Sequence, residues 1–183
     1  LGINYSEKSN VDITKDYTDL IKDISHRTNK KIIIEPGRFI VASAGILVTK
    51  VIYVKKNEHK RFVIIDAGMN DFLRPALYEA KHNVKKIFTD PNKLSTDCFD
   101  IVGPICETAD VLTENINLDS KIKRGDFLFL DNAGAYGASM SSTYNSRNLI
   151  SEVLVHKKMF YIIREKMRTD DFIKLEKIPS WLK

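Results

Sequence analysis

Residues 31–38 read KIIIEPGR, and this stretch divides the chain into two parts that differ in predicted secondary structure. Lys31–Glu35 is a short run of β-branched apolar residues between two charged ones, which predicts a strand buried on both faces, as in a parallel sheet. Pro36 and Gly37 then end the run. The local pattern is therefore that of one α/β unit followed by a break.

The segment before this stretch predicts an amphipathic helix over Val11–Asn29, with Asp12 or Thr14 as its cap. Its apolar residues recur at helical spacing at Ile13, Tyr17, Leu20, Ile21 and Ile24. A lone parallel strand beside this helix would leave backbone groups unpaired and an apolar face open to water. We therefore expect its neighbouring strands to come from outside this chain.

The segment after the stretch consists of strand-like runs joined by turns, and the helical signals shorten to Pro75–Ala80 and Thr169–Leu175. Many strands with few helices favour an antiparallel sandwich or barrel. We expect an α/β unit at residues 1–38 and an all-β domain at residues 39–183. The predicted strands are Ile46–Val54, Arg61–Asp66, Val84–Phe88, Asp100–Ile105, Asp126–Asp131, Glu152–Val155 and Met159–Ile163.

The composition excludes several classes of protein. With 43% hydrophobic and 29% charged residues, the 183-residue chain has ordinary globular composition, and its apolar runs are too short to cross a bilayer. The net charge of +5 comes from scattered lysine pairs without a nucleic-acid-binding motif, so no nucleic-acid partner is expected. Because no export signal opens the chain, which begins at Leu1, we expect a cytoplasmic protein.

Neither the cysteines nor the histidines form a metal-binding pattern. Cys98 and Cys106 are spaced unlike a CxxC pair or a zinc site, and the four histidines are dispersed. We expect two free thiols and no metal.

The first candidate site is Glu35-Pro36-Gly37-Arg38. It follows the predicted parallel strand, at the end where α/β folds build their active sites. Glu35 and Arg38 would point their charges into such a site. The alternative is a surface turn with a salt bridge.

The second candidate lies where the predicted strand ending at Asp66 gives way to a helix. With Pro75 in the first helical turn, Arg74 and Tyr78 lie four residues apart on one helix face. An arginine fork suits a carboxylate or phosphate, and a tyrosine hydroxyl can donate beside it. The alternative is an exposed helix start with Tyr78 packed on the core.

Two further candidates follow later strands. Within residues 103–110, Cys106 and Glu107 place a thiol beside a carboxylate, which suits a proton donor, although a free cysteine is usually a small buried hydrophobe. Within residues 131–137, two glycines flank Tyr136 and permit close approach to a ligand. The alternative for this turn is an ordinary hairpin tip.

Together these motifs resemble the diaminopimelate decarboxylases, a branch of the pyridoxal-phosphate (PLP) decarboxylases that also include ornithine and arginine decarboxylases. The resemblance runs from Leu1 to about Ile163 and departs mildly at residues 106–110 and 148–151. The stretches that carry it are EPGR at 35–38, DAGMNDFLRPALYEA at 66–80, GPICETAD at 103–110 and GDFLFLDNAGAYGASMSSTYNSR at 125–147.

The resemblance implies a fold and an activity. Residues 1–38 would be the end of an α/β barrel that holds PLP, and residues 39–183 a β-barrel or sandwich like the C-terminal domain of alanine racemase. The enzyme would be a head-to-tail dimer that decarboxylates meso-diaminopimelate to L-lysine. Meso-diaminopimelate carries a distal carboxylate that could pair with Arg74. A substrate without this carboxylate would leave the arginine facing nothing, and a buried unpaired charge is costly.

The resemblance also implies a role for each candidate residue. Glu35 would face the pyridine nitrogen of PLP, and Pro36, Gly37, Arg38 and Tyr136 would line the cofactor. Substrate contacts would come from Arg38, Arg74, Tyr78, Glu107 and Tyr136. Cys106 would be catalytic, returning a proton to the substrate carbon, and with Glu107 would enter the partner subunit's site.

The lysine that holds PLP in this family lies far upstream of the matching segment. We therefore expect the chain to be inactive alone. It would be part of a longer enzyme, a half that needs a complementing N-terminal fragment, or the product of a decaying gene. The alternative is a non-catalytic β-domain that regulates another decarboxylase chain. The presence of both Arg74 and Cys106 favours the enzyme.

Overall fold

The structure is a computed structural model and describes residues 2–3, 13–88 and 95–182. The helices are α1 (Ile13–Thr28), α2 (Gly37–Val41), α3 (Arg74–Tyr78) and α4 (Thr169–Ile173). The strands are β1 (Leu47–Lys56), β2 (Arg61–Ile65), β3 (Val84–Lys86), β4 (Thr96–Val102), β5 (Val111–Asp119), β6 (Phe127–Leu130), β7 (Glu152–His156) and β8 (Met159–Arg164). Short 3-10 turns lie at Ala42–Ala44, Ala138–Met140, Tyr144–Ser146 and Ser180–Leu182.

Six strands form one sheet in the order β3-β6-β1-β2-β4-β5. Its two edges approach each other, because Lys86 Nζ on β3 lies 3.0 Å from Asp119 Oδ2 on β5. The sheet is therefore nearly closed and barrel-like, as the sequence predicted. The predicted antiparallel arrangement is wrong at one place: β2 and β4 run parallel, with Phe62 opposite Asp100, because the long connection through α3 and β3 returns the chain in the same direction.

The alternation of apolar and polar residues explains the central strands. Along β1, Leu47, Thr49 and Val51 are buried while the residues between them are exposed. The core is filled by side chains of this inward-facing kind, and fully burying each one stabilises the fold by about 1.5–3 kcal/mol. Its fully buried members include Val51, Val63, Ile65, Ile101, Leu112, Leu128 and Leu130.

Two strands differ from the prediction. β4 spans Thr96–Val102 instead of Asp100–Ile105, since the backbone bends from Pro104 onward. β5 was not predicted, because its inward residues Leu112 and Leu118 are separated by a polar stretch. Within that stretch Asn115 has a φ of 54°, and the β4–β5 register shifts there, so the apolar period is interrupted.

Within residues 13–38, which the structure describes, the N-terminal part forms a helix but no strand. The predicted helix is confirmed as Ile13–Thr28, with Thr14 inside it; Val11 and Asp12 lie outside the described residues. The predicted strand at 31–35 is wrong: no described segment pairs with it, and Ile33 is 78% exposed. A strand requires hydrogen-bonded neighbours, which the described residues do not supply. Among these residues no helix is long and apolar enough to cross a membrane.

The β7–β8 hairpin stands apart from the six-stranded sheet, with Val153 opposite Ile162. Most of its apolar side chains are exposed, including Val155 at 67% and Phe160 at 76%. The hairpin therefore contributes little to the core of the barrel.

Candidate active site

Two arginines flank the ring of Tyr136. The guanidinium carbon of Arg38 lies 5.9 Å from the ring centroid, and that of Arg74 lies 5.4 Å from it. Both distances are within cation–π range. The ring is 41% exposed. Three residues predicted from separate motifs, two arginines and an accessible tyrosine, are thus brought together.

Close packing of two glycines explains why Tyr136 lies beside Arg38. The backbone N–H of Gly134 donates to the carbonyl of Ala42 at 3.0 Å, and Ala133 donates to Gly45 at 2.8 Å. A Cβ on Gly134 would lie 2.0 Å from the Val41 carbonyl oxygen, so only glycine permits this approach. The loop that carries Tyr136 is therefore docked on the turn that follows Arg38.

Arg74 and Tyr78 lie on one face of α3, as their spacing predicted. Pro75 stands in the first turn, and the helix ends at Glu79, which adopts a left-handed φ of 51°. Arg74 is 7% exposed, and its guanidinium carbon lies 5.8 Å from the ring centroid of Tyr78. Tyr78 is 60% exposed, so it is not packed on the core.

His82 contacts the guanidinium of Arg74, and nothing in the sequence indicated this contact. The Nε–H of Arg74 donates to His82 Nε2 at 3.4 Å, and His82 Nδ1 lies 3.0 Å from the carbonyl oxygen of Asp131. The histidine is 2% exposed, and burial lowers its pKa below 6.5. A lone histidine with no ligand spacing gave no signal for this contact.

Cys106 and Glu107 form a second group with Tyr144. The hydroxyl of Tyr144 donates to Glu107 Oε2 at 3.3 Å, and this bond to the carboxylate raises the pKa of the phenol. Cys106 is exposed, so the alternative of a buried hydrophobe is wrong, and both cysteines are free thiols as predicted. The sequence singles out Tyr144 only as part of the 125–147 stretch.

The loop carrying Cys106 is held by the buried carboxylate of Asp110. Its two oxygens accept hydrogen bonds from the backbone N–H groups of Met69 at 2.6 Å and Ile105 at 2.7 Å. Burial raises the pKa of Asp110, and these two bonds oppose that rise. The carboxylate thus joins the 66–71 loop to the 103–110 loop.

The segment 142–147 packs against the 66–71 loop. Arg147 Nη2 donates to the carbonyl of Asp66 at 2.7 Å, and the backbone N–H of Ser142 donates to the carbonyl of Asn70 at 2.8 Å. The segment that carries Tyr144 is therefore fixed against the loop between β2 and α3. This docking brings the Tyr144 hydroxyl to Glu107.

The first motif contributes unequally to the site. Arg38 lies on α2, and its Nε is buried without a hydrogen-bond partner among the described residues. Glu35 and Gly37 are exposed, and Pro36 is half-buried. No ion pair between Glu35 and Arg38 occurs among the described salt bridges, so the alternative of a salt-bridged turn finds no support there.

These residues fit an anionic ligand such as PLP better than a metal. An unused arginine donor, a second arginine and an accessible phenol suit a phosphate or carboxylate. Within residues 13–88 and 95–182, no cluster of three or more histidine, cysteine or acidic side chains could hold a metal ion.

Comparison with known proteins places the chain in a family. The family described as "Pyridoxal-dependent decarboxylase, C-terminal sheet domain" matches residues 13–134. The diaminopimelate decarboxylase of Zymomonas mobilis is 39% identical over all of this chain and 42% of its own length.

Solved structures agree with the sequence match. The diaminopimelate decarboxylase of M. jannaschii in complex with L-lysine aligns with a TM-score of 0.91 at 36% identity, over 100% of this chain and 42% of that one. The Helicobacter pylori enzyme with L-lysine aligns with a TM-score of 0.84 at 39% identity, over 96% and 42%.

The chain spans about two fifths of the length of these relatives. The family match includes Arg38, α3 and the loop that carries Cys106, and it ends at Gly134, just before Tyr136. The barrel-like sheet, the four motifs and the matched region together show that the chain belongs to the pyridoxal-dependent decarboxylases, as their C-terminal sheet domain.

Proposed function

We propose that the chain acts as the C-terminal part of a PLP-dependent decarboxylase that converts meso-diaminopimelate to L-lysine. The observation that carries this proposal is the pair of arginines around the accessible ring of Tyr136, at 5.9 and 5.4 Å. Relatives named diaminopimelate decarboxylase, two of them solved with L-lysine, support the choice of substrate.

The substrate fits the polar groups of this site. Meso-diaminopimelate carries a carboxylate and an ammonium far from the carbon that reacts. Arg74 would bind the distal carboxylate, because the contact of its Nε with His82 orients the guanidinium. The Tyr78 hydroxyl would donate a hydrogen bond beside it. Ornithine has no distal carboxylate for the Arg74 fork to bind, which disfavours it as the substrate.

The cofactor residues would be Glu35, Pro36, Gly37, Arg38 and Tyr136. Bound PLP supplies an electron sink for the pair left behind when carbon dioxide departs. The Glu35 carboxylate would keep the pyridine nitrogen protonated. Arg38, with its unused Nε, would neutralise negative charge of the cofactor or substrate. The phenol of Tyr136, which lies beside Arg38 and Arg74, would donate a hydrogen bond to the cofactor or the substrate.

Cys106 would return a proton from Sγ to the substrate carbon that lost carbon dioxide. Its exposure and that of Glu107 suit a role in a site that closes only when a second subunit docks. Glu107 would bind the distal ammonium, and the Tyr144 hydroxyl would orient its carboxylate through the 3.3 Å hydrogen bond. A head-to-tail homodimer is part of this proposal.

The chain would work with a PLP-binding barrel, to which residues 1–38 belong, while residues 39–183 form the β-domain. The exposed Ile33 supports this division, since an apolar run at 31–35 needs neighbouring strands to cover it. The proposal includes inactivity of the 183-residue chain alone, because the lysine that holds PLP would be supplied by the barrel. A reducing, cytoplasmic location agrees with the two free cysteines.

The test joins this chain to the segment of the Zymomonas mobilis relative that lies outside the match. PLP absorbance and lysine release are measured for the chain alone, for the joined enzyme and for its Arg74→Met variant. We expect activity in the joined enzyme and its loss in Arg74→Met, whereas Arg124→Met, which removes an exposed arginine, keeps it. Activity of the chain alone would refute the need for a barrel. A folded but inactive joined enzyme would favour a non-catalytic regulatory module.

A further inference from the structure

We propose that His82 is a positioning residue that fixes the direction of the Arg74 guanidinium toward the substrate carboxylate. This inference deepens the proposed function and rests on it for the identity of the anion. It begins from two buried polar residues that contact each other, His82 at 2% and Arg74 at 7% exposure. Their ring and guanidinium nitrogens are 3.4 Å apart.

The two neighbours of His82 dictate its protonation state. The carbonyl oxygen of Asp131, 3.0 Å from Nδ1, can only accept a hydrogen bond, so Nδ1 carries a hydrogen. The Nε–H of Arg74 can only donate, so Nε2 must be bare. Only the neutral Nδ1–H tautomer satisfies both contacts. In a doubly protonated ring, Nε2–H would face the Nε–H of Arg74.

The ring of His82 is held in place by Phe72 and by its contact with the Asp131 carbonyl. Its edge packs on Phe72 with the centroids 4.5 Å apart at an interplanar angle of 71°. The neighbouring Asn83 is bound to Asp131 through its backbone N–H at 3.2 Å and its side-chain amide at 3.1 Å. The acceptor at Nε2 therefore cannot follow Arg74 if the arginine turns.

A fixed acceptor at Nε sets the plane of the whole guanidinium, because the group is planar and rigid. In the observed orientation the guanidinium carbon lies over the exposed rings of Tyr78 and Tyr136. Arg74 and Asp131 are among the charged groups that act on His82, and burial lowers its pKa, which favours the neutral ring that Arg74 requires.

Two amide substitutions separate the roles of the two ring nitrogens. His82→Gln can place an acceptor oxygen near the position of Nε2, whereas His82→Asn can place an N–H near Nδ1 but has nothing to reach Arg74. In the joined enzyme, we expect His82→Asn to raise the KM for diaminopimelate about tenfold with kcat changed less than about threefold. His82→Gln should restore most of the affinity.

The tautomer supplies a readout that needs no activity. A long-range ¹⁵N–¹H correlation spectrum of the 183-residue chain should show His82 with Nδ1 protonated and Nε2 bare. A protonated Nε2, or an equal rise of KM in His82→Asn and His82→Gln, would overturn the positioning role. An inactive joined enzyme with the expected tautomer would count against the proposed function and leave the His82–Arg74 contact supported.

Discussion

The carboxylate of Asp110 accepts a 2.6 Å hydrogen bond from the backbone N–H of Met69, and this bond joins two loops that are distant in sequence. Its other oxygen accepts from Ile105. Asp110→Ala would leave two N–H groups without acceptors, so we expect the free energy of unfolding to fall by about 2–4 kcal/mol. Urea unfolding measures this. Glu114→Ala, which removes an exposed carboxylate, should change it by less than about 0.5 kcal/mol.

Gly103 and Asp110 should show coupled effects on stability. A Cβ on Gly103 would lie 2.3 Å from Asp110 Oδ2, so Gly103→Ala should displace the carboxylate and destabilise the parent chain. In the Asp110→Ala background that contact is absent, and Gly103→Ala should cost at least about 1 kcal/mol less. A double-mutant cycle of urea unfolding measures the coupling. Additive effects would show that the Gly103 site has no steric dependence on Asp110.

Gly134→Ala should be among the most destabilising substitutions in the chain. Its Cβ would meet the Val41 carbonyl oxygen at 2.0 Å and the Gly45 nitrogen at 2.8 Å, and neither backbone atom can rotate away. We expect a loss of about 3 kcal/mol in the free energy of unfolding. Gly37→Ala is the control for this unfolding measurement only, since its Cβ would meet nothing within 4 Å. Equal stability of both variants would contradict the close approach.

Lys86→Met should open the seam where the sheet nearly closes. The Lys86 ammonium lies 3.0 Å from Asp119 and 2.9 Å from Asp126, and all three side chains are 13–16% exposed. Without the cation, two carboxylates face each other with little water, so we expect a loss of about 2–3 kcal/mol. Thermal unfolding measures it. Lys55→Met, on the exposed part of β1, should change little.

The stability of the chain should depend on pH through His82. Burial lowers the pKa of His82 in the folded chain below 6.5. At a pH between this folded pKa and 6.5, the unfolded chain therefore binds the proton and the folded chain does not. The free energy of unfolding should therefore fall as the pH drops through this window, by at most about 1.4 kcal/mol per pH unit. Unfolding of the parent and His82→Gln between about pH 5 and 8 should show this slope only in the parent.

Arg74→Lys in the joined enzyme should separate charge from geometry. Lysine keeps the positive charge but has neither the planar fork nor an Nε–H for His82. We expect the KM for diaminopimelate to rise about 10–100-fold. Steady-state kinetics against Arg124→Lys, an exposed arginine, provide the comparison. An unchanged KM would mean that Arg74 does not bind the distal carboxylate.

The sequence alone determined the features that depend on neighbours in the chain. The burial alternation of Leu47, Thr49 and Val51 in β1 follows from which face of a pleated strand meets water. The shared face of Arg74 and Tyr78 follows from helical spacing and from Pro75 in the first turn. The family resemblance likewise rested on contiguous motifs, and the match over residues 13–134 confirms it.

Only the tertiary structure decided which distant residues meet. The contact of Tyr136 with Arg38 depends on a glycine at 134 docking on the turn after α2, and that of His82 with Arg74 depends on where Asp131 fixes the ring. The apolar run at 31–35 carries strand propensity but has no described partner strand. Periodicity records the wet and dry faces of one segment, whereas backbone pairing and close approach are properties of two segments, so no local pattern specifies them.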